Sequence, residues 1–248
     1  MNKINFFSLA AFLLISSTFL GYSQERQRQT IRTSSSEINI GALVDDDLQL
    51  LYPEKTKGEV HYSNGEFEVY DMNYNILLDE IHYLTRRGRS HSLQANPPFD
   101  KVLINDKVLI YDEQLGFLEQ LHSGKNNLYL KHEVNISTLP VRRGAYGTTD
   151  HTSSIDVATI QQPGAQNHVS EVRLSNPEAQ ELEITIRYND YFVFEKNGEL
   201  NRINNRRQLL RMFSDHSSDI RTFIRQNDID FDNKGDMVKL AKYIETLN

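Results

Sequence analysis

The sequence predicts an α+β protein: a mainly antiparallel β-sheet or partial barrel, followed by a short C-terminal helical segment. Three observations point to this. Between Gly58 and Val134, short runs rich in β-branched and aromatic residues recur, separated by turn residues. Beyond Asn205 the apolar spacing changes from every second residue to the 3.6-residue period of a helix. The 248 residues include no cysteine, so the chain must hold itself by burial, and its length is ample for that.

The strand ladder is justified run by run. Glu59 to Tyr62 and Glu66 to Tyr70 flank Ser63-Asn64-Gly65, and Asn-Gly between alternating runs predicts a type I′ hairpin. In Glu66-Phe67-Glu68-Val69-Tyr70 the period of two sets Phe67 and Val69 on one face and both glutamates on the other. Leu78 to Leu84 follows, with Ile81 and Tyr83 sharing a face. Arg87-Gly88-Arg89 turns the chain into a short run at Ser92-Leu93, and Asn96-Pro97-Pro98 ends it, since proline cannot donate to a ladder. Lys101 to Ile104 and Lys107 to Tyr111 flank Asn105-Asp106, a second predicted hairpin. Leu115 to Leu121, a turn at Ser123 to Asn126, and Leu128 to Val134 close the ladder. Six to eight strands at this spacing predict an antiparallel meander.

Residues 1–23 read as a signal peptide: Lys3 is the positive head, Phe6 to Leu20 the apolar stretch, and Gly21-Tyr22-Ser23 a small-residue cleavage site before Gln24. The apolar stretch is short of the roughly 20 residues a membrane span needs, and a lipoprotein would need a cysteine. The chain is therefore expected to be exported, periplasmic or secreted, without a transmembrane segment after cleavage. Residues 24–37 are polar and read as a flexible leader. A β-rich domain is expected over 38–200, and a helical segment packed on the sheet over 201–248. With 34 acidic against 27 basic residues and a formal charge of −7, nucleic acid is not an expected partner.

The 140–170 stretch has no clear period and is expected to be a long loop. It is the first candidate for a ligand or partner site: Arg142 and Arg143 could clamp an anion, Tyr146 could stack beside it, and Asp150 and His151 follow. The same residues also suit an ordinary surface loop. Glu181 to Tyr188 and Tyr191 to Glu195 alternate as strands, with Asn197-Gly198 as a turn. Asn205 to Gln208 has the form of a helix cap with Gln at the third position. Leu209 to Phe213, then Ile220, Phe223 and Ile224, then Met237, Leu240, Ala241, Ile244 and Leu247, give three short amphipathic helices.

No motif names a reaction. Asp228 to Lys239 begins like a calcium loop, but its glycine stands at the eighth position and Lys239 replaces the closing glutamate. Asp45-Asp46-Asp47 reads as a solvated turn. The eight histidines lack the spacing that sets two rings on one helical face. Asp150-His151 with Ser153 or Ser154 has triad residue types without a nucleophile elbow. Ser123-Gly124-Lys125 lacks the first glycine of a phosphate loop. No cofactor, metal or catalytic residue is expected.

The cleavage site before Gln24 is followed by Gly58-Glu59-Val60, Tyr74-Asn75, Leu78 to Ile81, Val108 to Tyr111, Phe117 to Leu121, Gly124-Lys125 and Leu128-Tyr129. Later come Tyr191-Phe192-Val193, Leu209-Leu210 to Phe213, Ile224 to Asn227 and Tyr243. This pattern resembles a family of exported proteins common in Bacteroidota to which no activity is attached. The resemblance implies a periplasmic or surface location and no catalytic residues. The expected function is a non-enzymatic, envelope-associated or secreted interaction protein, with an envelope protein as partner. The alternative is a small-ligand-binding protein or enzyme with its pocket in a partial barrel.

Overall fold

The computed structural model describes residues 28–33, 37–93, 99–140, 142–143, 149–150, 157–161, 169–174 and 182–247. Segment 1–23, read as a signal peptide, lies outside them.

Residues expected to be a flexible leader instead pair. Strand β1 (Gln29–Thr33) runs antiparallel to a late strand, and β2 (Glu37–Asn39) follows. Thr30, Ile31 and Thr33 are β-branched, so the run suits a strand once a partner is present. Arg32 fixes the register by donating to Glu183 at 3.0 Å. The acidic triplet opens a one-turn helix, α1 (Asp46–Gln49), with Asp46 and Asp47 in its first turn, where the helix dipole favours negative charge.

The ladder then forms β3 (Thr56–Tyr62), β4 (Phe67–Asn75), β5 (Glu80–Leu84), β6 (Ser90–Ser92), β7 (Phe99–Ile104), β8 (Lys107–Asp112), β9 (Gly116–His122) and β10 (Leu128–Lys131). These strands are antiparallel, but they are not a simple meander. After β6 the chain doubles back, and β7 pairs with β3. The ten-stranded order is β18-β17-β10-β9-β8-β7-β3-β4-β5-β6, with β17 (Tyr191–Lys196) and β18 (Glu199–Ile203) completing it.

Gly58 explains how β3 can sit in the middle. A Cβ there would lie 2.6 Å from the Met72 sulfur on β4 and 2.7 Å from the Leu103 carbonyl oxygen on β7. Only glycine lets both neighbours approach this closely.

One turn differs from expectation. At Ser63-Asn64-Gly65 only Gly65 has positive φ, +85°, and its N–H donates to the Tyr62 carbonyl at 2.9 Å. This is a tight turn followed by a left-handed glycine, not the type I′ form. Both central residues are left-handed at Asn197 (+55°) and Gly198 (+80°), which join β17 to β18. The alternation of β4 is as expected, but its apolar face is inverted. Phe67 and Val69 are 56% and 53% exposed, while Met72 and Tyr74 on the opposite face are fully buried. The downstream pair sets which face meets the apolar core; Asn73 and Asn75, in phase with Phe67 and Val69, are buried as well but donate to Tyr52 and Gln49.

The remaining strands are β11 (Val134–Pro140), β12 (Arg142–Arg143), β13 (Thr149–Asp150), β14 (Val157–Gln161), β15 (Val169–Leu174) and β16 (Leu182–Tyr188). β1, β16 and β11 make one three-stranded sheet, and β14, β15 and β2 another. So the stretch read as a loop over 140–170 holds short strands. β12 pairs with β13 and β14 with β15 close by, while β15 also pairs with β2 far back in the chain, which local periodicity cannot reveal. Ile184, Ile186 and Leu182 of β16 pack with Val60, Met72, Tyr74, Ile81, Val102, Ile104, Leu109 and Phe117 in the larger core.

The ten-stranded sheet curls. Asp79, in the β4–β5 turn, accepts a hydrogen bond from the Lys131 ammonium of β10 at 2.7 Å, although four strands lie between β4 and β10 in the sheet. Gly116 permits this approach: its φ is +73°, and a Cβ would fall 1.9 Å from an Asp79 carboxylate oxygen. The sheet nevertheless stays open, with β6 and β18 as its edges among the described residues.

Three helices close the chain: α2 (Arg206–Met212), α3 (Ser217–Gln226) and α4 (Lys234–Glu245). Asn205 caps α2 by accepting from the Gln208 N–H at 3.1 Å, and Gln208 reaches back to accept from the Asn204 N–H at 2.7 Å. Asn233 caps α4. The helices pack on one face of β10, β17 and β18. Leu209, Phe213, Ile220, Ile224, Met237, Leu240 and Ile244 meet Leu128, Leu130, Phe192, Phe194 and Ile203 in a second core.

Candidate functional site

The first candidate from sequence does not form a described site. Arg142 pairs in backbone register with Asp150, and Arg143 with Thr149, as β12 and β13. Tyr146 and His151 lie outside the described residues.

The site that the fold does assemble lies where the curled sheet meets the start of α4. Strand alternation puts Lys107, Leu109 and Tyr111 of β8 on the same face as Phe117, Glu119 and Leu121 of β9, because Leu109 pairs with Glu119 and Tyr111 with Phe117. Leu130 of β10 pairs with Glu119 on the other side. Two charged residues thus occupy core-facing positions in an otherwise apolar register.

Glu119 is the centre. Its side chain is 3% exposed. One oxygen accepts from the Lys107 ammonium at 2.7 Å and also from the Lys234 ammonium at the first residue of α4. The other oxygen accepts from His132 Nε2 at 3.2 Å. His132 Nδ1 in turn donates to Asp190 at 2.9 Å. With a carboxylate against each ring nitrogen, both nitrogens donate, and the ring is an imidazolium.

The electrostatics follow from these contacts. Burial opposes charge on Glu119. The hydrogen bond from His132 and the ammonium groups of Lys107 and Lys234 outweigh that and hold the carboxyl well below its usual range. Burial likewise opposes charge on His132, but Asp190 and Glu119 outweigh it and raise its pKa. Burial pulls the Lys107 ammonium below its ordinary value, with Glu119 only partly restoring it and Lys234 opposing that restoration. Three cationic groups thus converge on one carboxylate, and Asp190 offsets only one of them.

A neighbouring pair completes the polar interior. Lys131 donates to Asp79, with side chains only 6% and 9% exposed, and Asp79 also accepts from the Tyr74 hydroxyl at 2.5 Å. The Tyr74 ring lies 6.2 Å from the His132 ring, which links the two clusters.

Beside Glu119 opens a cleft of about 1030 Å³. Its apolar wall comes from Leu51, Leu130, Phe192, Phe231 and Val238, and its charged wall from Lys107, Glu119, His132, Asp190, Arg202, Asp232 and Lys234. The Arg202 guanidinium lies over the Tyr191 ring, 3.7 Å from its centroid. The 228–239 loop, which begins like a calcium loop, supplies Phe231 to this wall and the cap of α4.

The pH dependence has a definite sign. His132 has a raised folded pKa, so its contribution is complete below its ordinary value of 6.5 and is lost as pH rises through the folded value. Glu119 has a lowered folded pKa, so its contribution is complete above its ordinary value of 4.5 and is lost as pH falls through the folded value. Both are complete between pH 4.5 and 6.5. The melting temperature is expected to be highest in that window and to decline toward alkaline pH, and His132→Gln should flatten the alkaline limb. A wild-type melting temperature that climbs steadily from pH 6.5 to about 9 would contradict this.

Sequence reasoning missed this cluster, although a signal was present. Lys107 and Glu119 stand in phase with the apolar residues of their own strands. Only the pairing of β8, β9 and β10, with α4 laid across, brings Lys234, His132 and Asp190 to them. Among the described residues no group of acidic and histidine side chains has the arrangement of a metal site, and no helix is long and apolar enough to cross a membrane. No known family, curated protein or solved structure matches the chain.

Proposed function

We propose that the protein is an exported, non-enzymatic binding protein that holds a small molecule in the cleft beside Glu119. The observation that supports this is the cleft itself: an apolar wall and convergent charged groups meet at one concave opening, the usual form of a ligand site. The non-catalytic part rests on His132. A ring clamped by two carboxylates has no free nitrogen to act as a base. Export rests on the 1–23 segment, and the intact mass of the protein recovered from its native compartment tests it, with cleavage expected before Gln24.

The binding reading is tested by native mass spectrometry of the mature protein purified from its own envelope or medium. A bound small molecule is expected in the wild type and should be lost in Val238→Trp, which fills the cleft from a half-buried position of α4. Absence of any small molecule, or its retention in the filled variant, would sink the reading.

A second reading has its own support. Phe67 and Val69 stand exposed on β4, with His61 stacked on Phe67 at 5.5 Å between centroids. Large apolar side chains presented together on a sheet face suit contact with a partner protein. In that reading an envelope protein co-purifies stoichiometrically, and Phe67→Ser with Val69→Ser releases it.

A further inference from the structure

We infer that the ligand of this cleft is an organic anion, a carboxylate attached to an apolar body, recognised by Lys234 and Lys107 with Arg202 at the rim. The inference rests on the binding reading above and gives its ligand class.

The charge arrangement points to an anion. Lys107 and Lys234 share a single oxygen of Glu119. Each ammonium has three N–H donors, and for each the described residues take one. His132 is a third cation on the same carboxylate and is balanced by Asp190. Across the whole lining Lys107, His132, Lys234 and Arg202 face Glu119, Asp190 and Asp232, four positive charges against three negative, and the Lys107 side chain is only 20% exposed. Desolvated charge in excess is costly unless an opposite charge arrives. A carboxylate entering the cleft would supply that charge and take up open donors on both lysines.

The placement of Lys234 supports the same conclusion. It is the first residue of α4. A cation in the first turn opposes the helix dipole, so helix stability does not account for a lysine there. Its side chain is 46% exposed, which leaves the ammonium reachable from solvent. Arg202 is similarly accessible, at 45%. Its guanidinium lies over Tyr191, with Nε donating to Asn204 at 2.8 Å and one terminal nitrogen 3.8 Å from Glu133, and its remaining terminal N–H donors suit a carboxylate.

The opposite wall sets the rest of the ligand. Leu130 and Phe192 form its buried floor, and Phe231 and Val238 come from the α4 side. A small inorganic anion would leave this surface in water, whereas an apolar tail would cover it. The expected ligand is therefore amphipathic, with its charged end at Lys234.

The test is calorimetric titration of the mature protein at pH 7 with decanoate, decanol, acetate and inorganic phosphate, each with the wild type, Lys234→Gln, Lys234→Arg and Val238→Trp. Circular dichroism establishes that each variant is folded. Decanoate is expected to bind at least tenfold more tightly than decanol and acetate, to lose that advantage in Lys234→Gln, and to keep most of it in Lys234→Arg. Val238→Trp should abolish binding of both ten-carbon compounds. If decanol matches decanoate and Val238→Trp removes both, the cleft binds ligands but the anion inference is overturned. Phosphate or acetate binding as well as decanoate overturns the apolar body. If no compound binds, or if binding ignores Val238→Trp, the inference is overturned, and the mass spectrometric test then decides separately whether the cleft holds any ligand.

Discussion

Glu119→Gln is expected to destabilise the protein by about 3–5 kcal/mol, the usual cost of removing one partner from a buried ion pair. Glutamine keeps the shape and removes the charge. Lys107, Lys234 and His132 would then face one another around a neutral amide, with only Asp190 to balance them. At about 2–4 °C per kcal/mol for a chain of this size, the melting temperature should fall by about 10 °C. Asp190→Asn should cost less, because the Asp190 side chain is 43% exposed and water can replace part of what it provides. Thermal unfolding of both variants, followed by circular dichroism, checks the pair. A Glu119→Gln protein melting within about 2 °C of the wild type would show that the cluster is not the joint between sheet and α4.

Leu240→Asp should be at least as damaging. Leu240 is fully buried in the second core, among residues of all three helices and of β10, β17 and β18. The change deletes apolar contacts and buries an unpaired carboxylate. The first effect alone is worth about 2–5 kcal/mol, as judged from leucine-to-alanine changes in cores, and the second adds to it. Since Leu240→Asp can prevent folding altogether, Leu240→Ala gives the measurable form, with an expected loss of about 2–5 kcal/mol in urea unfolding. Lys239→Asp, one residue away and exposed, is the control and should stay within about 0.5 kcal/mol. Equal effects at 239 and 240 would contradict the packing of this face.

The elements legible in sequence are those whose own residues specify them. The helices are the clearest case. The Asn205 cap and the apolar residues at Leu209, Ile220, Ile224, Met237, Leu240 and Ile244 occupy the expected places, because capping and the 3.6-residue period are local properties. The strands from β3 to β10 were legible for the same reason. The leader and the 140–170 stretch were not. β1 exists because β16 lies beside it, and β12 because β13 does. A short polar strand has no signature of its own; its hydrogen-bond partner creates it.

The sequence by itself determined the class of the fold: antiparallel strands with period-two alternation, tight turns at Gly65, Gly88 and Asn197-Gly198, and a closing set of amphipathic helices. These depend on φ restrictions and side-chain periodicity, which act over a few residues. The tertiary structure decided the order of the strands, which face of β4 turns inward, and the site. β7 returns to β3, the sheet curls until Asp79 meets Lys131, and Lys234 arrives on Glu119 from 115 positions away in the chain. Contacts at such separation depend on burying whole faces at once, and only the assembled sheet and helices determine which charges end up sharing the interior.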